Sequence, residues 1–276
     1  MTLAVRYLNG GEPRLGRLED EAVVDAGPAG PRGFVPSAEG WAGIEAASGE
    51  RHALASVTLL APVVPQKVIC IGLNYRDHAE ESNLDIPSVP VVFTKHPSCL
   101  IGHEEQIVVP REETRPDWEA ELAVVLGARA KRASGADALS AVGGYTAFND
   151  VSGRRAQLET PLRQFVYGKS FDTFGPIGPA LRRADGVDLG ALRVGSRVSG
   201  EVMQDSTTAQ LIFDVQRLVE YVSIATTLEP GDVIATGTPG GVGDSRRPPR
   251  YLREGDVVEI DVEGIPTLRN SVVLER

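Results

Sequence analysis

The stretch Asp117-Trp118-Glu119-Ala120-Glu121-Leu122-Ala123-Val124-Val125-Leu126 sets acids into a run that is otherwise apolar. A short run of this kind reads as a strand, whose side chains alternate between faces. Glu119 and Glu121 therefore share a face, with Cα atoms roughly 7 Å apart. A second stretch, Gly144-Tyr145-Thr146-Ala147-Phe148-Asn149-Asp150, reads as another strand and ends on a third acid. Two anions side by side on an apolar strand repel, and burying them unpaired costs several kcal/mol each. A cation must then lie beside them. A hard divalent ion that takes oxygen ligands and keeps positions open for water or substrate meets that need. Alternating Glu also marks the solvated face of an edge strand, and these residues alone leave both readings open.

Outward from these strands the chain keeps a β-rich texture. Its first sixty residues are short apolar runs broken by turn residues: Ala4 to Leu8, then Asn9-Gly10-Gly11, Arg14 to Leu18, and Ala22 to Val24. This is the rhythm of a small, mostly β unit. A loop rich in Gly and Pro follows from Gly27 to Gly33, and Pro62 and Pro65 bracket a linker. Lys67 to Gly72 then reads as a buried strand. Glu229 to Ile234 and Glu254 to Ile260 are similar turn-then-strand units, expected as neighbours in one curved sheet. One helix is clear: Asp214 is a good N-cap, and Val215, Leu218, Val219 and Val222 fall on one face. A shorter helix is expected from a Ser134 cap through Ala138 and Leu139.

The 276 residues suffice for one large domain with a small appendage. No apolar run approaches membrane-spanning length, and the N-terminus lacks the basic start and apolar core of a signal peptide. Cys70 and Cys99 are the only cysteines, so no disulfide framework or thiolate zinc site is indicated. These features point to a cytoplasmic protein with no membrane partner. A net charge of −10 argues against nucleic acid, which needs a dense basic patch. It leaves room for an acidic small substrate, since a metal ion and one or two cations can reverse the field inside a cleft.

Other residues carry chemistry only in combination. His78 and Glu81 lie three apart on a segment entering a helix, where they share a face. A carboxylate holding one imidazole nitrogen makes the other a better base for water; incidental acids on a surface helix give the same pattern. Lys169 is one of only four lysines in an arginine-rich chain, which hints at an ammonium used as a point charge or proton donor. Thr236-Gly237-Thr238-Pro239-Gly240-Gly241-Val242-Gly243 does not fit a dinucleotide fingerprint; its backbone N–H groups could bind a carboxylate, and an ordinary turn is the other reading. Arg154 and Gln157, just past Asp150, can reach the same cleft.

Taken in order, Ile71 to Glu81, Asp117 to Leu122, Phe148 to Ser152, Gly168 to Pro176 and Thr236 to Pro239 resemble the fumarylacetoacetate hydrolase family over roughly residues 62 to 276. The chain looks like the members with a small N-terminal β domain, here 1–61, before a catalytic domain, 62–276. The fold class implied is α+β and mainly β, with a mixed β-sheet roll. The resemblance implies Mg²⁺ or Mn²⁺ on Glu119, Glu121 and Asp150, and a water-activating dyad of His78 and Glu81. It also implies an active-site Lys169, substrate contacts from Arg154, Gln157 and Thr238, and a homodimer. One departure bears on substrate preference: many members place an acid where this chain has Arg155.

What these residues could carry is carbon–carbon hydrolysis of a 1,3-dicarbonyl or 2,4-dioxo acid of the acylpyruvate kind. His78 would activate water, and the leaving carbanion would survive as an enolate held by the cation and Lys169. The same enolate arises when a 2-oxo acid such as oxaloacetate loses CO₂, or when a ring-cleavage dicarboxylate isomerises. The dyad tips the expectation towards hydrolysis, with decarboxylase or isomerase as the alternative. A non-hydrolytic ligand-binding or ring-forming protein on the same fold is the reading of another class.

Overall fold

The structure is a computed structural model that describes residues 2–276. Its centre is a twelve-stranded sheet. Along its main path lie Arg51–Ala53, Ala22–Pro28, Arg14–Glu19, Leu3–Leu8, Gly175–Arg183, Val142–Asn149, Ala120–Leu126, Val233–Ala235, Val68–Gly72 and Val91–Lys95. A five-stranded sheet of Glu201–Thr207, Arg193–Val198, Val257–Val262, Leu268–Leu274 and Ile107–Val109 covers one face.

The strand Ala120–Leu126 is buried along its whole length because both faces are covered. Leu122, Val124 and Leu126 pack in one cluster with Ile260, Leu268 and Val272 of the smaller sheet. Ala123 and Val125 point the other way, into a cluster with Phe34, Trp41 and Ile44. The last two belong to the helix Ala38–Glu45, whose N-cap Ser37 accepts a hydrogen bond from Gly40 N–H. The Trp41 indole meets Phe34 edge-on at 4.8 Å and donates to the Gly143 carbonyl at 2.8 Å. Burying a side chain of this size is worth about 3 kcal/mol, which fastens the N-terminal region to the large sheet. Leu3 and Ala4 also pair with Arg182 and Leu181, so the first strands form a wing of the central sheet.

Three sequence expectations change. The first sixty residues hold a helix as well as strands. The short helix near 134 runs Ala136–Ser140 with Gly135 as N-cap, and Ser134 makes no side-chain cap; only its carbonyl is used, by Asp137 N–H. The two turn-then-strand units are in different sheets. Val233–Ala235 is buried throughout between Val68–Gly72 and Ala120–Leu126, whereas Val257–Val262 alternates buried and half-exposed residues. The sequence carries that distinction: Val-Ile-Ala is continuous, and Val-Val-Glu-Ile-Asp-Val alternates. The Asp214-capped helix, Val215–Ala225, buries Val215, Leu218, Val219 and Val222 as expected.

Antiparallel register assembles the site. Glu121 faces Phe148 across the ladder, and Asp150 N–H donates to the Glu119 carbonyl at 3.0 Å. The end of one strand is thus laid on the beginning of the next. On the other side Ala123 pairs with Ala235, which brings Thr236 and Gly237 beside Leu122 and Glu121.

Candidate active site

Glu119, Glu121 and Asp150 offer carboxylate oxygens that lie within 4.8 Å of one another, and all three residues are buried. Two lysines share them. Lys169, at the end of the helix Phe165–Lys169, donates to Glu119 Oε2 at 2.6 Å and to Asp150 Oδ2 at 2.7 Å. Lys95, at the end of Val91–Lys95, donates to Asp150 Oδ1 at 2.7 Å and to the Val151 carbonyl at 3.2 Å. Arg154 completes the ring, with Nη2 2.7 Å from Glu119 Oε1 and Nε donating to Asp117 Oδ2 at 2.8 Å. Both oxygens of Glu119 and both of Asp150 therefore meet cations. Glu121 instead accepts the Gly237 N–H at 2.9 Å.

The charges do not close. Asp117, Glu119, Glu121 and Asp150 are four buried acids facing three buried cations, Lys95, Lys169 and Arg154. Burial would raise Glu119, but Lys169 and Arg154 overcome it and hold its carboxyl at about 2. Burial, with repulsion from Asp150 and Glu119, pushes Glu121 well above the usual carboxylate range. Burial would lower the Lys169 ammonium, yet Asp150 and Glu119 raise it above an ordinary lysine. The surplus negative charge on convergent carboxylate oxygens fits a hard divalent cation held by Glu119, Glu121 and Asp150.

The expected dyad lies on the helix Arg76–Glu81, with His78 Nδ1 3.6 Å from Glu81 Oε2. That is beyond a hydrogen bond, and Nδ1 is buried without a hydrogen-bond partner among the described residues. Glu81 accepts from Gly241 N–H at 3.0 Å instead. Burial would raise its carboxyl, but His78 and that N–H hold it below the usual value.

The Gly-rich loop does bind carboxylates, and they are the chain's own. Gly237, Gly240 and Gly241 N–H groups serve Glu121, Asp77 and Glu81, while Gly243 and Asp244 N–H groups serve Asp117. Gly237 has φ +103°, and a Cβ there would lie 2.8 Å from Asn74 Cβ, so glycine is required. Buried Asn74 anchors the loop from below, donating to the Thr236 and Phe213 carbonyls and accepting Phe213 N–H.

A cavity of about 560 Å³ opens over this floor. His78, Glu81, Glu119, Arg154, Gln157, Lys169 and Thr238 line it, and Glu121 and Asp150 lie beneath. Thr238 Oγ1 donates to the Ala120 carbonyl and accepts from Gln204 Nε2, and Gln157 Oε1 accepts from Arg154 Nη1. Arg155, the residue expected to alter substrate preference, turns away to the Glu112 carbonyl and Glu159 and does not line the cavity. Sequence reading gave no role to Lys95, Asp117 or Gln204. The scarcity of lysine that singled out Lys169 applied equally to Lys95. Nothing local marked Gln204, whose partners Ala120 and Thr238 are 84 and 34 residues away.

A family model described as fumarylacetoacetate (FAA) hydrolase C-terminal matches residues 67–273. The mitochondrial oxaloacetate tautomerase of Bos taurus is 46% identical over 219 residues, 79% of this chain and 70% of that protein. Among solved structures, a 5-carboxymethyl-2-hydroxymuconate delta-isomerase from Mycobacterium smegmatis is 35% identical, with a TM-score of 0.83 over 100% of both chains. A fumarylacetoacetate hydrolase from Exiguobacterium antarcticum is also 35% identical, with a TM-score of 0.84 over 100% of both chains. No described helix is long and apolar enough to cross a membrane.

Proposed function

This chain belongs to the fumarylacetoacetate hydrolase family, and from that premise we propose that it isomerises a 2-oxo dicarboxylate. The reaction is interconversion of the keto and enol forms of an oxaloacetate-like acid. Tautomerase and isomerase names among its relatives support this choice over carbon–carbon hydrolysis. The observation that carries it is Lys169: a buried ammonium, fixed as a cation by Glu119 and Asp150, with its third N–H left over for a substrate oxygen. The dyad weighs the same way, because Glu81 is turned to Gly241 rather than hydrogen-bonded to His78.

Enolisation moves one proton. It leaves C3 of the substrate, and the electron pair it leaves spreads to the 2-oxo oxygen. Lys169 places a fixed positive charge where that oxygen gains negative charge. Its raised proton affinity makes Lys169 a poor base. His78 is the imidazole lining the cavity, and it takes the C3 proton and returns it to the oxygen. A divalent cation, Mg²⁺ or Mn²⁺, on Glu119, Glu121 and Asp150 supplies Lewis-acid polarisation of the 2-oxo acid when bound. Leu84, Val91 and Phe93 add apolar surface to the cavity that His78 lines.

The test follows the enol absorbance of freshly dissolved oxaloacetate with Mg²⁺ and with a chelator, alongside pyruvate release from an acylpyruvate. Faster loss of the enol band without pyruvate, abolished by chelation, is expected. Pyruvate and a free acid from the acylpyruvate, with no effect on the enol band, would return the assignment to hydrolysis.

A further inference from the structure

The cavity has a buried end and an exposed one. Glu119 and Lys169 line it from within, and Arg163 and Arg247, both exposed, line it from outside. We propose that Arg163 and Arg247 form the subsite for the remote carboxylate of the substrate, making the cavity selective for dicarboxylates. This rests on the 2-oxo dicarboxylate reading above.

Both arginines come from loops, one after the helix Arg154–Leu158 and the other after the Gly-rich loop. Neither is in an ion pair with a carboxylate among the described residues. Arg247 Nη1 folds onto the carbonyls of Asp244, Ser245 and Arg246 at 2.8–3.2 Å, while Nε and Nη2 have no hydrogen-bond partner among the described residues. Arg163 has φ +53°, a left-handed conformation that costs a side-chain-bearing residue about 1 kcal/mol. The turn closed by Arg163 N–H on the Thr160 carbonyl holds it there.

The third arginine of the cavity cannot take this role. Arg154 is buried and spends its guanidinium on Asp117, Glu119 and Gln157, at the inner end. Leu158 and Phe165 add apolar surface to the same lining, suited to a carbon chain. Asp244, an acid on the same lining, accepts a hydrogen bond from the Tyr251 hydroxyl at 2.7 Å. In a chain of net charge −10, two guanidiniums without carboxylate partners at the outer end of one cavity add positive charge where a remote anion could bind. A planar guanidinium also binds a carboxylate with charge-assisted, directional hydrogen bonds.

The experiment compares two ligands of one chain length, 2-oxopentanedioate and 2-oxopentanoate, which differ in the terminal carboxylate. Each is titrated calorimetrically into the Mg²⁺-loaded protein and its Arg163→Gln, Arg247→Gln and doubly substituted forms. The parent is expected to favour the diacid by on the order of tenfold or more, and the double variant to bring the ratio near one. Equal binding of the two acids by the parent, no binding of the diacid, or a preference that survives the double substitution would overturn the subsite. Oxaloacetate tautomerisation is measured separately on the same samples. If the arginine-dependent preference is present but the parent does not tautomerise oxaloacetate, the catalytic reading falls and the subsite stands.

Discussion

Asp25, in the N-terminal wing, and Glu121, under the cavity, sit on strands of one twelve-stranded sheet, and their surroundings treat them in opposite ways. Arg14 grips both oxygens of Asp25 at 2.6 Å, and the Tyr7 hydroxyl adds a third hydrogen bond at 2.6 Å. Those partners hold the Asp25 carboxyl at about 2. Glu121 has one backbone N–H and two like charges beside it, and it is pushed upward. Where a carboxylate is there to brace the fold, the chain closes its charge with its own residues. Where charge is left open among convergent oxygens, the arrangement suits a cation supplied from outside.

The largest expected effect tests that contrast at Glu121. Glu121→Ala should bring Mg²⁺-dependent turnover down to the uncatalysed rate and weaken Mg²⁺ binding measured without substrate. In metal-free protein, Glu121→Gln should melt no lower than the parent, because it removes a charge that its neighbours repel. A clear drop in the metal-free melting temperature would mean that Glu121 is a structural partner like Asp25, and the comparison would break.

A smaller effect is expected one layer out. His78→Ala should lower kcat for enol–keto interconversion by roughly 10²–10⁴, with Mg²⁺ affinity retained, because among the described residues His78 hydrogen-bonds none of the three acids. Unchanged kcat would remove His78 from proton transfer and leave the inner charges as the whole of catalysis.

How far the sequence reached follows the same division between local and distant causes. Glu119 and Glu121 were readable because one strand carries both, and alternation is a property of neighbours. Asp150 belongs with them only through the ladder, and it was placed by its position at a strand end and by family resemblance. The Gly-rich loop showed its backbone donors but not their acceptors, which turned out to be Glu121, Asp77, Glu81 and Asp117. Lys95 reaches Asp150 across 55 positions, and no window of sequence spans that contact. Trp41 and Ile44 after Ser37 did carry a helical spacing and a cap. They were hidden by the β rhythm around them. HxxE spacing says only that two side chains share a face, as His78 and Glu81 do at 3.6 Å, and that is no measure of which reaction the pair serves.

The smallest effect belongs to the wing and sharpens the comparison from the closed side. Asp25→Asn keeps the shape and removes the charge that Arg14 and Tyr7 address. Losing one charge-assisted pair in a chain of this length should lower Tm by ~2–4 °C, the size of about 1 kcal/mol, with turnover and Mg²⁺ binding unmoved. The pH dependence has a definite sign. Asp25 titrates lower folded, at about 2, than unfolded, near 3.9. Its contribution is complete above pH ~4 and fades as pH falls towards about 2. Burial and the hydrogen bond to Asp25 push Tyr7 up to about 12. Its share is complete below pH ~10 and fades as pH rises towards about 12. Melting curves of the parent and Asp25→Asn should therefore differ between these limits and converge only as pH falls through about 2. No difference at neutral pH, or an undiminished one well below pH 2, would show that the charge of Asp25 does not brace the wing.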